Sequence, residues 1–324
     1  MSTKTLVSHY RTAALVTAVL AFVVIVLGAA VRVNDAGISC PDWPTCYGHW
    51  FPFPAPEGGF VGDDGIHYQA YQVFLEWVHR LLASITGFSL LVTLICAIRA
   101  RAAMPRLWKI TTLAVLAMLV QIKLGGVTVL MDNISWTVAL HLGNAMVFYG
   151  LVMLGLMAAS RPAKLKPLKV DSLQKAAAWA MVAMVMITLL LGATVSTSGA
   201  GPACGGLFSC HGQWLPSEML GLLHMQHRYA AVLTFLTALG FFTITRSAPK
   251  ELARTGRVLV IFVLVQAALG IATLYSFEYY FQLYHWLSVT HLAWATVVWT
   301  VALTAVVKAH WGAKDPAVKF LLHR

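Results

Sequence analysis

Four histidines stand where an ionisable side chain is costly to place. His79, His141, His227 and His291 all fall within long apolar stretches of this 324-residue chain. They form two matched sets. His79 precedes Arg80 as His227 precedes Arg228, and the gap from His79 to His141 is 62 residues against 64 from His227 to His291. A buried imidazole in a bilayer is either a hydrogen-bonded packing residue or a functional group. Recurrence at related positions favours the functional reading.

Glu76 adds a carboxylate one helical turn before His79, so the two side chains share a face. The matching position before His227 is His224. A carboxylate at that depth can orient a histidine or close a helix end, or it can handle a proton for chemistry at the first site. The asymmetry suggests a chemical first half and a second half with a permanent cofactor. Arg80 and Arg228 are suited to carboxylates, such as the propionates of a haem, or to snorkelling toward headgroups.

These residues belong to a repeated sequence. LGAAVRVNDAGISCPDWPTCYGHWFP from Leu27 is echoed by LGATVSTSGAGPACGGLFSCHGQWLP from Leu191, at an offset of 164. HRLLASITGF from His79 matches HRYAAVLTF from His227. QIKLGGVTVL from Gln121 matches QAALGIATLY from Gln266, and the segment around His141 matches that around His291. A duplicated unit with two histidines per copy implies two similar pockets.

The bilayer must be the solvent for these units. The chain is 59% hydrophobic and 11% charged, with mean hydropathy +0.74. Eight apolar stretches of spanning length run over roughly 12–33, 72–98, 107–131, 135–159, 173–197, 218–246, 255–276 and 284–308. The first is too long for a signal peptide, and its counterpart lies mid-chain. The fold class expected is an all-α integral membrane protein of eight helices in two tandem four-helix bundles. Residues 1–160 form the first half, 161–172 a polar, basic linker and 173–324 the second half. Each of the four histidines then lies at similar depth near the outer end of an even-numbered span. Two imidazoles facing across a four-helix bundle can clamp a haem iron.

The net charge of +11 reports topology rather than a nucleic-acid partner. Nineteen of 23 Lys and Arg flank one set of span ends, while nine of twelve acids lie on the other side. The positive-inside rule places both termini in the cytoplasm of a bacterial plasma (inner) membrane. Cys40, Cys46, Cys204 and Cys210 then fall in outer loops, as two C-x5-C pairs. Disulfides Cys40–Cys46 and Cys204–Cys210 are expected in that oxidising compartment, as staples or as redox-active pairs. A four-thiolate zinc site is the rival reading. Cys96 reads as a small packing residue. The first loop carries 16 more residues than the second, rich in Pro, Gly and aromatics, as a lid or as ordered surface.

E-x-x-H-R in span 2, H-R in span 6, His141, His291, the paired loop cysteines and the four-plus-four duplication together resemble the haem A synthase family over roughly 12–308. The resemblance implies oxidation of a methyl group of haem O to a formyl group, giving haem A for cytochrome oxidase. It implies a resident haem b between His227 and His291. Substrate haem O would bind near His79 and His141, with Glu76 beside the reacting edge. The long first loop departs from compact members. Candidate partners are haem O synthase, cytochrome oxidase assembly factors and further copies of the chain. Two other readings stay open: a quinol-linked di-haem b electron-transfer protein, and a haem carrier that releases its cargo unchanged.

Overall fold

The computed structural model describes residues 2–63, 65–160 and 168–310, without the side chains of Glu278 and Phe281. Most of the expected linker at 161–172, and the basic tail with His323, lie outside the described residues.

Among the described residues, eight helices are long and apolar enough to cross a membrane. They are α1 (Thr3–Val33), α2 (Ala70–Arg99), α3 (Leu107–Leu130), α4 (Ser135–Ser160), α5 (Ser172–Thr197), α6 (Met219–Thr245), α7 (Lys250–Tyr279) and α8 (Phe281–Ala309). Six follow the apolar stretches to within three residues. α1 and α7 begin earlier than expected because their first turns carry polar residues, which hydropathy cannot see. Ser2 caps α1 by accepting from Thr5 N–H. Asp171 and Gln174 close the start of α5 reciprocally. Within the spans, threonine hydroxyls such as Thr86, Thr93 and Thr188 return a hydrogen bond to the carbonyl four residues back. These hydroxyls thus stay satisfied without water.

The helices close two rings. α1 neighbours α2, α2 neighbours α3, α3 neighbours α4, and α4 returns to α1; α5 to α8 repeat the pattern. The rings meet through α1, α4, α5 and α8. Small residues permit that close packing: Ala14, Ala18 and Ala21 of α1 and Ala302 and Ala305 of α8 are buried. Hydrogen bonds also cross the junction. Trp299 Nε1 donates to Met146 O at 3.1 Å, and Thr300 Oγ1 to the Tyr149 hydroxyl at 3.2 Å. Arg32 Nη2 donates to Ser196 O at 2.7 Å.

The α1–α2 and α5–α6 connections lie at the same face. Each carries a disulfide, Cys40–Cys46 and Cys204–Cys210. The disulfides leave no free thiolates there for a zinc site. The extra residues of the first connection form a short hairpin, β1 (Phe60–Val61) and β2 (His67–Tyr68), antiparallel with Phe60 opposite Tyr68. Phe60 and Tyr68 pack with Cys40, Cys46 and Val73, so the hairpin covers the disulfide. Cys96 is free and half-buried.

Candidate functional site: two histidine pairs

Within each ring the even-numbered helices stand diagonally, so His79 of α2 faces His141 of α4, and His227 of α6 faces His291 of α8. The imidazoles of each pair lie within electrostatic reach of one another. Each ring is seated on a glycine of the preceding helix. A Cβ added to Gly28 would meet His79 Cε1 at 3.1 Å, and one on Gly125 would meet His141 Cε1 at 3.3 Å. On Gly192 it would meet His227 Cε1 at 2.9 Å, and on Gly270 His291 Cε1 at 3.0 Å. Four imidazoles therefore stand edge-on against four backbones, in clearances that a methyl group would close.

His79 Nδ1 and His227 Nδ1 are buried with the backbones of Val24 and Thr188 beside the two rings, so Nε2 is the ring nitrogen left for a ligand. Two imidazoles facing across a bundle would suit the iron of a haem. Among the described residues no group of three or more His, Cys, Asp or Glu could hold a metal ion unaided. The donor set is thus two imidazoles per pocket, which fits a haem whose porphyrin supplies the other ligands.

Glutamines flank the second histidine of each pair. Gln121 Nε2 lies 3.0 Å from His141 Nε2 and 3.2 Å from Nδ1. Gln266 Nε2 lies 3.1 and 3.2 Å from the same atoms of His291. Sequence reasoning missed the four glycines and both glutamines. The signal was present: Gln121 and Gly125, like Gln266 and Gly270, are four residues apart, hence on one helix face.

Glu76 is buried, 3% exposed, and fully engaged. It accepts from Ser39 Oγ at 3.0 Å, from Cys40 N–H at 2.8 Å and from Arg80 Nη2 at 2.5 Å. It therefore joins the first disulfide loop to the helix that carries His79. His224, at the matching position, reaches the Ala200 carbonyl through Nδ1 at 2.8 Å. Both residues hold their loops, but only Glu76 brings a carboxylate.

The two arginines also grip the loops. Arg80 donates to Asp42 O, Thr45 O and Cys40 O at 2.5, 2.6 and 3.1 Å. With Glu76 these use four of the guanidinium's five N–H groups. Arg228 donates to Leu207 O and Cys204 O at 3.1 and 3.2 Å. Arg228 keeps more donors for an anionic ligand. Between the carbonyls that Arg80 holds lies Trp43; a Cβ added to Gly126 of α3, beside the glycine that seats His141, would meet its ring at 3.8 Å. The second half has Leu207 and Ile271 at these positions.

Asp42 organises the same loop. Burial pushes its carboxyl up. Hydrogen bonds from the Thr45 hydroxyl and from the Gly48 and Tyr47 backbones outweigh that and bring it below the ordinary 3.8. The remaining histidines are peripheral: His49 and His211 sit in the loops, His67 in β2 and His285 in the first turns of α8. His310 caps α8, buried, with Nδ1 3.0 Å from Val306 O.

Known proteins resemble this chain over most of its length. A heme A synthase of Shewanella oneidensis is 28% identical over 291 residues, covering 79% of this chain and 85% of that protein. One from Shouchella clausii is 28% identical over 277 residues, with 81% and 86% covered. One from a Chelativorans strain is 27% identical over 338 residues, with 93% and 89% covered. The model of the COX15-CtaA family, described as cytochrome oxidase assembly protein, matches residues 11–303. That match takes in all eight spans but the first turns of α1 and the last of α8, both disulfide loops and all four histidines, and the chain belongs to this family.

Proposed function

We propose that this protein is a haem A synthase, a membrane oxidoreductase that converts a methyl group of haem O to the formyl group of haem A. The observation that carries the reading is the matched pair of imidazole pockets, each ring seated on a glycine, with a carboxylate at the first pocket alone.

In this reading the first half, residues 1–160, takes haem O between His79 and His141. The second half, from 173, keeps haem b on His227 and His291. The bound haem b supplies one-electron redox chemistry. The protein's own groups would bind and orient: the four imidazoles would hold the haems, and Trp43 beside Gly126 would wall the first pocket toward the loop. Glu76 is the group that can take up protons as the methyl carbon is oxidised, and its contact with Arg80 and Cys40 fixes the carboxylate's aim. Arg228 is the better-placed propionate contact. The disulfide face lies outside a bacterial plasma membrane and both termini lie in the cytoplasm. The basic connections at the opposite ends and the oxidised cysteines support this. A haem O synthase and oxidase assembly factors are the expected partners.

Extracting the haems of the purified protein and identifying each by mass tests the reading. Haem b together with haem O or haem A is the expected result. Two equivalents of haem b and nothing else would point instead to a di-haem electron-transfer protein.

A further inference from the structure

Each disulfide leads straight into a matched turn. Cys46–Tyr47–Gly48–His49 and Cys210–His211–Gly212–Gln213 are each closed by two backbone hydrogen bonds between the first residue and the last. The two central residues have positive φ, 53° and 75° in the first turn and 50° and 84° in the second, as a type I′ turn requires. The chain leaves each turn as W-x-P: Trp50–Phe51–Pro52 and Trp214–Leu215–Pro216.

Both segments are pinned to the outside of an even-numbered helix. Trp77 Nε1 of α2 donates to Trp50 O at 2.7 Å, and the Tyr229 hydroxyl of α6 donates to Trp214 O. The donors are not repeat partners. Trp77 matches Met225, and Tyr229 matches Leu81, one turn further along. The same carbonyl is therefore held by different side chains in the two halves. Both donors stand on stripes that the rings turn away from their junction. Phe74, Leu81, Ile85 and Phe88 share the face of Trp77 and are exposed; so are Val232, Leu233 and Leu236 on the face of Tyr229. Phe51 packs on Trp77 with ring centroids 5.2 Å apart. The pinned segments stay uncovered, with Trp50 75% and Trp214 62% exposed.

Helix length places these segments at the rim of the bilayer. α2 ends at Arg99 and α6 is followed by Arg246, which mark the other end of each span. Crossing the hydrocarbon takes about 20 helical residues. Counted from Arg99 and Arg246 toward the disulfide face, that length ends at His79 and Gln226, beside Trp77 and within one turn of Tyr229. The first turns of α2 and α6 thus rise above the hydrocarbon, and the two W-x-P segments fold back down to its edge.

We propose that Trp50 and Trp214, each with its apolar neighbour, are interfacial anchors that seat the disulfide face among lipid headgroups and hold His79 and His227 at the depth where headgroup meets hydrocarbon. An indole suits that level, with an apolar ring and one N–H donor. The occupant is lipid rather than a second copy of the chain, because the exposed segments are continuous with helix faces that already contact acyl chains. The inference holds whichever haem fills either pocket.

The test is fluorine NMR of the full-length chain carrying 5-fluorotryptophan in lipid nanodiscs. The resonance missing from Trp50→Phe belongs to Trp50 and that missing from Trp214→Phe to Trp214; both variants keep the backbone carbonyls that Trp77 and Tyr229 hold. Each resonance should lose most of its intensity with lipid bearing a nitroxide just below the headgroup. It should lose less with lipid labelled at the chain end or with a water-soluble gadolinium chelate. Greater loss with the chelate would put the indoles in water and overturn the proposal. Greater loss with the chain-end label would put them too deep and overturn the assigned level. Loss with none of the three would mean that protein covers them, a second copy included, and would overturn the lipid contact.

Discussion

Gly192 lies directly beneath the imidazole of His227: a Cβ on that glycine would stand 2.9 Å from Cε1. The neighbour it would meet is a buried ring, so the ring must tilt or the helices must part. Gly192→Ala is expected to cost about 1–3 kcal/mol as overpacking. It should also shift the absorbance of the resident haem or reduce its content. Gly125→Ala, with 3.3 Å of clearance, should do less. Equal spectra and equal haem content for wild type and Gly192→Ala would contradict the seating argument.

Removing an axial imidazole should separate the halves. His227→Ala or His291→Ala should lose the resident haem or turn it high-spin. His79→Ala or His141→Ala should abolish conversion of haem O while most resident haem b stays. A low-spin spectrum unchanged in both second-half variants would refute the assignment.

Glu76→Gln and Ser39→Ala together distinguish proton handling from loop anchoring. Glutamine puts an amide N–H against Arg80 or against the Ser39 and Cys40 donors, costing about 1–3 kcal/mol. Ser39→Ala removes one loop bond and leaves the carboxylate. If Glu76 handles protons, Glu76→Gln should accumulate haem O or a partly oxidised haem, and Ser39→Ala should convert nearly normally. Similar losses in both variants would assign Glu76 to anchoring alone.

Each disulfide closes a loop of sequence separation 6. The chain-entropy model gives such a loop about 2 kcal/mol. Replacing Cys40 and Cys46 by Ala should lower the thermal midpoint in detergent and expose the loop to protease. Non-reducing peptide mapping should recover both cross-links from freshly isolated membranes; four free thiols would contradict them.

The first loop should loosen in acid. The Asp42 carboxyl is held below its ordinary value by loop hydrogen bonds. Its contribution is complete above the ordinary 3.8 and disappears as pH falls through the lower folded-state value. Limited proteolysis of the loop should rise over that acid range in the wild type. Asp42→Asn should be cut more readily at neutral pH and show a flatter profile.

The architecture was legible because bilayer thickness turns hydropathy directly into helix count, and the repeat fixed which histidines belong together. Glu76 and the cysteine pairs were legible because charge and thiols are rare in this composition. The glycine seats were not, since a glycine in a transmembrane helix is common and its meaning depends on what lies against it. Arg80 illustrates the same limit. A guanidinium beside a candidate haem ligand suggests propionates, yet the structure aims it at the carbonyls of Asp42, Thr45 and Cys40, which lie far back in the sequence.

The closure of each ring by sequence neighbours has a consequence for biosynthesis. Cys40–Cys46 and its tether to Arg80 and Glu76 need only α1 and α2, so this loop can be oxidised and anchored while the ribosome is still making α3. The first ring closes when α4 reaches α1. The Trp299–Met146 bond must wait for the final helix. A chain stalled before α8 would therefore expose α1 and α4 to lipid or to quality-control proteases with its first pocket already formed, and the arrival of α8 would be the step that commits the protein to its finished shape.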